Sequence, residues 1–257
     1  MTAVLRAELL KIRTTAVPWV LAGIAVLING LLILVVFLSR DNAMDSGYTV
    51  PHTTQQLRNL LGSGFQGYLL ALMLGVLMVT VEFRHKTVTT SFLVTPRRAE
   101  FVTGKLLAAA VLGALLGLLM LVVALVGGGL TLVARGGSFG ALAHQIPAVW
   151  PGFVLVFVLF AVLGVGVGSI LTNQVAAIIV SLGWFIILEG ILTALVPAAT
   201  KWVPTGAAAA ASNLTRGDRN GPHFVLFDWW QGTLLMLAYG LAFAAIGSYL
   251  LTRRDIT

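Results

Sequence analysis

Cysteine is absent from this 257-residue chain, only 10% of its residues are charged, and no proline interrupts the middle of a long apolar run. Without cysteine there is no disulfide and no thiolate to act as nucleophile or metal ligand, so the redox compartment leaves no mark on the sequence. The scarcity of charge excludes an ordinary soluble domain. With 58% hydrophobic residues, a globule of this size has too little polar material to cover its surface. The eight prolines (Pro18, Pro51, Pro96, Pro147, Pro151, Pro197, Pro204 and Pro222) fall at the ends of apolar runs or between them. Helices broken at mid-membrane, which mark many ion-coupled carriers, are therefore not signalled.

Catalytic constellations are missing as well. There is no H-E-x-x-H, no G-x-S-x-G and no histidine pair at metal-ligand spacing; His52, His144 and His223 fall in three separate connecting segments and His85 in a fourth. Asp41 and Asp45 begin like a calcium loop, but Ala43 and Ser46 break the pattern. The phosphate-cradling G-x-x-x-x-G-K-[ST] is absent too. Gly104-Lys105 comes nearest, with Ala99 in place of the leading glycine and Leu106 in place of the hydroxyl residue. The expectation is a chain that is not an enzyme and has no catalytic residue, metal or cofactor of its own. Any uphill work it performs must draw on energy from elsewhere.

What the chain does have is length without charge. Six apolar windows, 17–38, 61–81, 106–133, 152–171, 175–196 and 230–251, are long enough to cross a bilayer as helices. Barrel strands would alternate in polarity and be about ten residues long. The expected fold is therefore all-α, a single polytopic domain over 1–257 with six continuous transmembrane helices. The first window follows a basic start but exceeds a signal-peptide core and lacks a small-x-small cleavage site, so it reads as a retained helix. Ahead of it, residues 2–15 place Leu5, Leu9 and Ile12 on one stripe and Arg6, Lys11 and Arg13 elsewhere. That pattern fits an amphipathic helix in the interface; a plain topology signal is the competing reading. Gly113-x-x-x-Gly117 and Gly164-x-x-x-Gly168 are expected to pack helices within the bundle rather than between subunits.

Charge distribution sets the orientation. On one side lie Arg6, Lys11, Arg13, Arg84, Lys86, Arg97, Arg98, Lys105, Arg253 and Arg254; the other holds Arg40, Arg58, Arg135, Lys201, Arg216 and Arg219 in longer loops. The positive-inside rule places both termini in the cytoplasm, and headgroup contact accounts for the net charge of +7 without nucleic acid. The outer loops are then 39–60, 134–151 and 197–229. In the last, the alanine run at 207–212 favours a short helix, which could re-enter the outer leaflet, and the Gly/Asn/Asp cluster after it reads as turns. Arg216-Gly217-Asp218 and the Asn213-Leu214-Thr215 sequon read as chance inside those turns.

The one sizeable cytoplasmic loop is 82–105, and a soluble partner must engage it or the termini. Residues 84–94 can form a short helix ended by Pro96, with Val88 and Phe92 on one apolar face and Arg84 in register, a form suited to a groove on a partner. AELLKIRTT and EFRHKTVTTSFLVTPRRAEFVTGKLLA resemble the permease subunits of ABC-2 type ABC transporters, notably small actinobacterial ones. Glu82, Phe83, Arg84, Thr87, Pro96, Arg97, Arg98 and Lys105 match the run that brackets that family's cytoplasmic coupling helix; His85, Lys86, Val88 and Phe92 lie within it, and Lys86 stands where glycine is common. The resemblance implies a multi-pass protein of the bacterial plasma membrane, in which two permease subunits, alike or different, pair with two cytoplasmic ATPase subunits. ATP and magnesium would be bound by the ATPases, whose hydrolysis would drive export.

Four polar residues within the spans complete the reading. By helix rise Glu189 lies about 5 Å, Asn29 about 2 Å, Tyr239 about 3 Å and Gln66 about 7 Å outward of their span midpoints. They are candidates to line an outer translocation path. Against this stands a structural role for Glu189, hydrogen-bonded to a neighbouring helix or to Thr193. Rivals to the exporter are an ion-coupled carrier, which calls for several buried ionisable residues where only Glu189 lies within a span, a membrane-embedded enzyme, and a non-transporting anchor for a signalling ATPase.

Overall fold

The computed structural model describes residues 7, 8, 10, 11, 14–38, 58, 60–85, 87, 98–134, 136–212 and 226–253. The apolar runs fold as helices, in which every backbone N–H and C=O finds its partner within the segment. These are α1 (Ala16–Leu38), a 3-10 turn (Gly62–Gly67) leading into α2 (Tyr68–Arg84), α3 (Arg98–Ala134), the short α4 (Phe139–Ala143), and α5 (Ile146–Ile170). Then follow α6 (Gln174–Leu182), a π-helical segment (Gly183–Leu188), α7 (Glu189–Leu195), a 3-10 turn (Pro197–Ala199), α8 (Pro204–Ser212) and α9 (Trp229–Arg253). Among the described residues there is no strand, and six helical stretches are long and apolar enough to cross a membrane. The chain is an all-α polytopic membrane protein.

α5 is the hub, with α2, α3, α8 and α9 packed along it. Its apolar window is 72% buried, against 17% for α1, 17% for the α6–α7 span and 22% for α9, so the last three turn most of their apolar surface outward. Small residues bring the central helices together. A Cβ on Gly164 would stand 2.1 Å from the Leu72 carbonyl oxygen and 3.0 Å from the Gly75 Cα, so α2 and α5 cross on glycine against glycine. Gly113 and Gly117 play the same part for α3, facing Phe157 of α5. Both glycine pairs thus serve packing within the bundle. A ladder of rings fills the space between: Phe65 meets Tyr68 at 5.3 Å, Tyr68 meets Phe160 at 4.4 Å, and Phe160 meets Phe185 of the π segment at 5.4 Å.

Several boundaries differ from the sequence expectation. α2 runs on to Arg84 and α3 begins at Arg98, so both ends of the expected 82–105 loop are helical. Charged residues weigh against a span but not against a helix, which is why hydropathy stops short here. Arg84 is the last residue of α2 rather than the first of a separate helix; His85 is its C-cap, and residues 88–94 of the expected short helix lie outside the described residues. α5 starts six residues early and takes in Pro147 in its first turn and Pro151 in its interior. The fifth span runs as one helical stretch from Gln174 to Leu195, with six of its residues wound as the π segment. The alanine-rich helix of the outer loop is real, starts on Pro204 as its first residue, and is buried between α5 and α9.

The ends of the bundle are distinct. Lys11 bridges to Glu82, and Gly247 of α9 packs against Ser169 and Gly166 of α5. The first and last described stretches therefore meet the same end of the bundle, as alternating spans require. Residues 7, 8, 10, 11 and 14 are helical, the described part of the expected interfacial helix.

Candidate functional site

The end of α2, the start of α3 and the turn before α1 converge on four charged side chains. Lys105 Nζ donates to Glu82 Oε1 at 2.8 Å, to Glu8 Oε2 at 3.2 Å and to the Met78 carbonyl at 2.9 Å. Lys11 Nζ donates to the same Glu82 Oε1 at 2.8 Å and to Glu8 Oε1 at 3.1 Å. Lys105 is 1% exposed, Glu8 5% and Glu82 7%, so two carboxylates and one ammonium are held out of solvent. Such charges persist only in balanced, hydrogen-bonded sets, since desolvation of each costs several kcal/mol. Lys11, with its side chain half exposed, is the cluster's outlet to the surface. Its burial would lower the pKa, but the hydrogen bonds and charges of Glu82 and Glu8 outweigh that and hold the ammonium above the ordinary lysine value.

The cluster divides the residues expected to bracket a coupling helix into two groups. Glu82 and Phe83 belong to the bundle; Phe83 packs with Val102 and Leu106 at the start of α3. Arg84, His85 and Thr87 are exposed. Thr87 closes the end of α2, its N–H reaching the Glu82 carbonyl at 3.0 Å, and Arg84 Nη1 donates to Gln174 Oε1 of α6 at 3.3 Å. Lys86, Val88, Phe92, Pro96 and Arg97 lie outside the described residues; Arg98 is the first residue of α3, with its side chain outside them.

The four mid-span polar residues separate into distinct groups. Asn29 and Gln66 line one cavity of about 260 Å³ with Ser63, Gly64 and Leu182. Asn29 Oδ1 accepts from Ser63 Oγ at 3.2 Å, while its Nδ2 is buried without a partner. Glu189, 2% exposed, is fully engaged elsewhere. Its Oε1 accepts from Trp184 Nε1 at 3.0 Å, and its Oε2 accepts from the Thr205 N–H at 3.2 Å and from the Thr205 hydroxyl. Thr205 is the second residue of α8, so the Glu189 carboxyl caps the start of a helix whose preceding residue, Val203, has no polar side chain. Thr193 Oγ1 bonds the Glu189 carbonyl, not its carboxylate. Tyr239 donates to the Trp202 carbonyl at 2.7 Å in the segment that leads into α8.

Sequence reasoning singled out Glu82 and Lys105 but not Glu8, and it counted Glu189 as the one ionisable group within a span. The signal was an acidic residue inside an otherwise basic start, three positions before Lys11. Trp184 was missed because its bond to Glu189 spans five residues, the π-helical repeat. Among the described residues no group of three or more His, Asp or Glu side chains can hold a metal. Comparison with protein-family models, with curated proteins and with solved structures finds no match to this chain.

Proposed function

We propose that this chain is the membrane-spanning subunit of an ATP-driven ABC-2 type exporter, coupled to separate ATPase subunits through the segment between Arg84 and Arg98. The observation that carries the reading is the Lys105–Glu82 bridge. These two residues flank the segment in sequence, match the motif that brackets the coupling helix in that family, and here join across its base. A loop anchored by a buried ion cluster is suited to transmit force, because a push on it moves α2, α3 and the N-terminal turn together. The hypothesis includes two cytoplasmic ATPases that bind ATP and magnesium, a second permease subunit and a bacterial plasma membrane with both termini cytoplasmic. Co-expression with an ATPase encoded beside this chain tests it: the two are expected to co-purify as a complex, and failure of any ATPase to bind sinks the reading.

One observation favours the ion-coupled carrier more than the sequence did, namely that Glu8, Glu82 and Lys105 are buried in addition to Glu189. The cluster is charge-balanced with two lysines against two carboxylates, and Glu189 is met by three donors; Glu82 Oε2 alone among their carboxylate oxygens is left unmatched. The exporter reading stays ahead.

A further inference from the structure

Beside the ion cluster, a cleft of about 510 Å³ opens between the N-terminal turn, the start of α1 and α2. That volume lies within the range of ligand sites, and the walls, Leu74, Leu77, Met78 and Val81, are apolar. At its polar end stands Glu82, whose side chain is 9% exposed. Glu82 Oε1 serves both lysines, but Oε2 is buried without a hydrogen-bond partner. A buried carboxylate oxygen left unmatched is costly, so the missing piece is a hydrogen-bond donor, best a cationic one. Lys11 and His85 line the same cleft, and the Lys11 ammonium brings positive charge to its rim. Val17 also lines it and adjoins the exposed apolar face of Trp19 and Val20 in the first span.

We propose that the cleft binds one membrane phospholipid with a protonated primary-amine head group, phosphatidylethanolamine. The ammonium donates to Glu82 Oε2, the phosphate faces Lys11, and an acyl chain lies along the wall of Leu74, Leu77 and Val81. The charges match in kind: a zwitterionic head meets a site that carries both signs. Phosphatidylcholine has no N–H to give, and phosphatidylglycerol has no ammonium. This inference does not rest on the transport reading, because it is read by lipid retention with the chain alone.

The test incubates the purified chain with vesicles of phosphatidylethanolamine, phosphatidylcholine and phosphatidylglycerol in equal parts, then identifies retained lipid by native mass spectrometry. Phosphatidylethanolamine is expected to be enriched over phosphatidylcholine by about tenfold or more, the factor one charge-assisted hydrogen bond supplies. Leu77→Trp, which fills the cleft and leaves the ion cluster intact, abolishes the enrichment; Val81→Phe repeats the test should the larger ring prevent folding. Glu82→Gln brings retention of phosphatidylethanolamine down to that of phosphatidylcholine. Equal retention of the three lipids in the wild type, or enrichment that survives both cleft-filling variants, overturns the proposal. Displacement of the lipid by an equal concentration of dodecylamine also overturns it, assigning the cleft to a free amphiphilic amine instead.

Discussion

Lys105 Nζ lies 2.8 Å from Glu82 Oε1, joining the second turn of α3 to the last turn of α2, with Glu8 from the N-terminal turn completing the cluster. A single change on one side strands a buried charge. Lys105→Met and Glu82→Gln are each expected to destabilise by about 3–5 kcal/mol, as buried pairs do when one partner is removed. The double variant is expected to be more stable than the sum of the two predicts, since neither charge is then left alone. Thermal unfolding in detergent reads this, and strictly additive losses contradict it.

Lys11 gives the cluster a pH dependence. Its folded-state pKa is raised above the ordinary value of 10.5. The stabilisation is therefore present in full below the unfolded pKa and is lost as pH rises through the folded one. Melting temperatures taken across the alkaline range should fall faster for the wild type than for Lys11→Met. Parallel curves contradict the assignment.

Glu189 is predicted to hold α8 in place. Glu189→Gln keeps one acceptor oxygen and strands one of the three donors; Glu189→Leu strands all three, at about 1–3 kcal/mol for each buried group left unmatched. The leucine variant should melt lower than the glutamine variant; under the proposed transport function, the glutamine variant should transport normally per folded molecule. Altered cargo selection in a fully stable Glu189→Gln protein would contradict this purely structural role.

The topology carries its own test, since the chain has no cysteine to mask. Single cysteines at Thr90 and Thr215 are expected on opposite faces of the membrane. In right-side-out vesicles an impermeant reagent should reach position 215 and not position 90; the reverse pattern inverts the orientation.

The six spans were legible because nothing but helix satisfies a backbone in lipid, and their glycines announced close packing that Gly75 and Gly164 carry out. Their ends were not, since hydropathy falls at Glu82 and Lys105 while the helices continue through both. The ion cluster was hidden for the same reason: its members come from three segments, and only tertiary packing shows that Glu8 reaches Lys105. The cap on α8 was hidden by distance, Glu189 and Thr205 being sixteen residues apart, and the π segment between Gly183 and Leu188 has no mark in composition. Helix rise along Asn29, Gln66, Glu189 and Tyr239 says nothing of direction around each helix, so it could not show that Asn29 and Gln66 share a cavity while Glu189 meets α8.

The most direct test of the central claim is the ATPase activity of the purified complex with Phe92 changed to Asp. In the proposed interface that charge enters an apolar groove and costs on the order of a few kcal/mol when desolvated. Phe92→Asp is expected to insert and fold like the wild type yet to lose ATPase co-purification and stimulated hydrolysis together. Undiminished stimulation by a correctly inserted Phe92→Asp protein would contradict it.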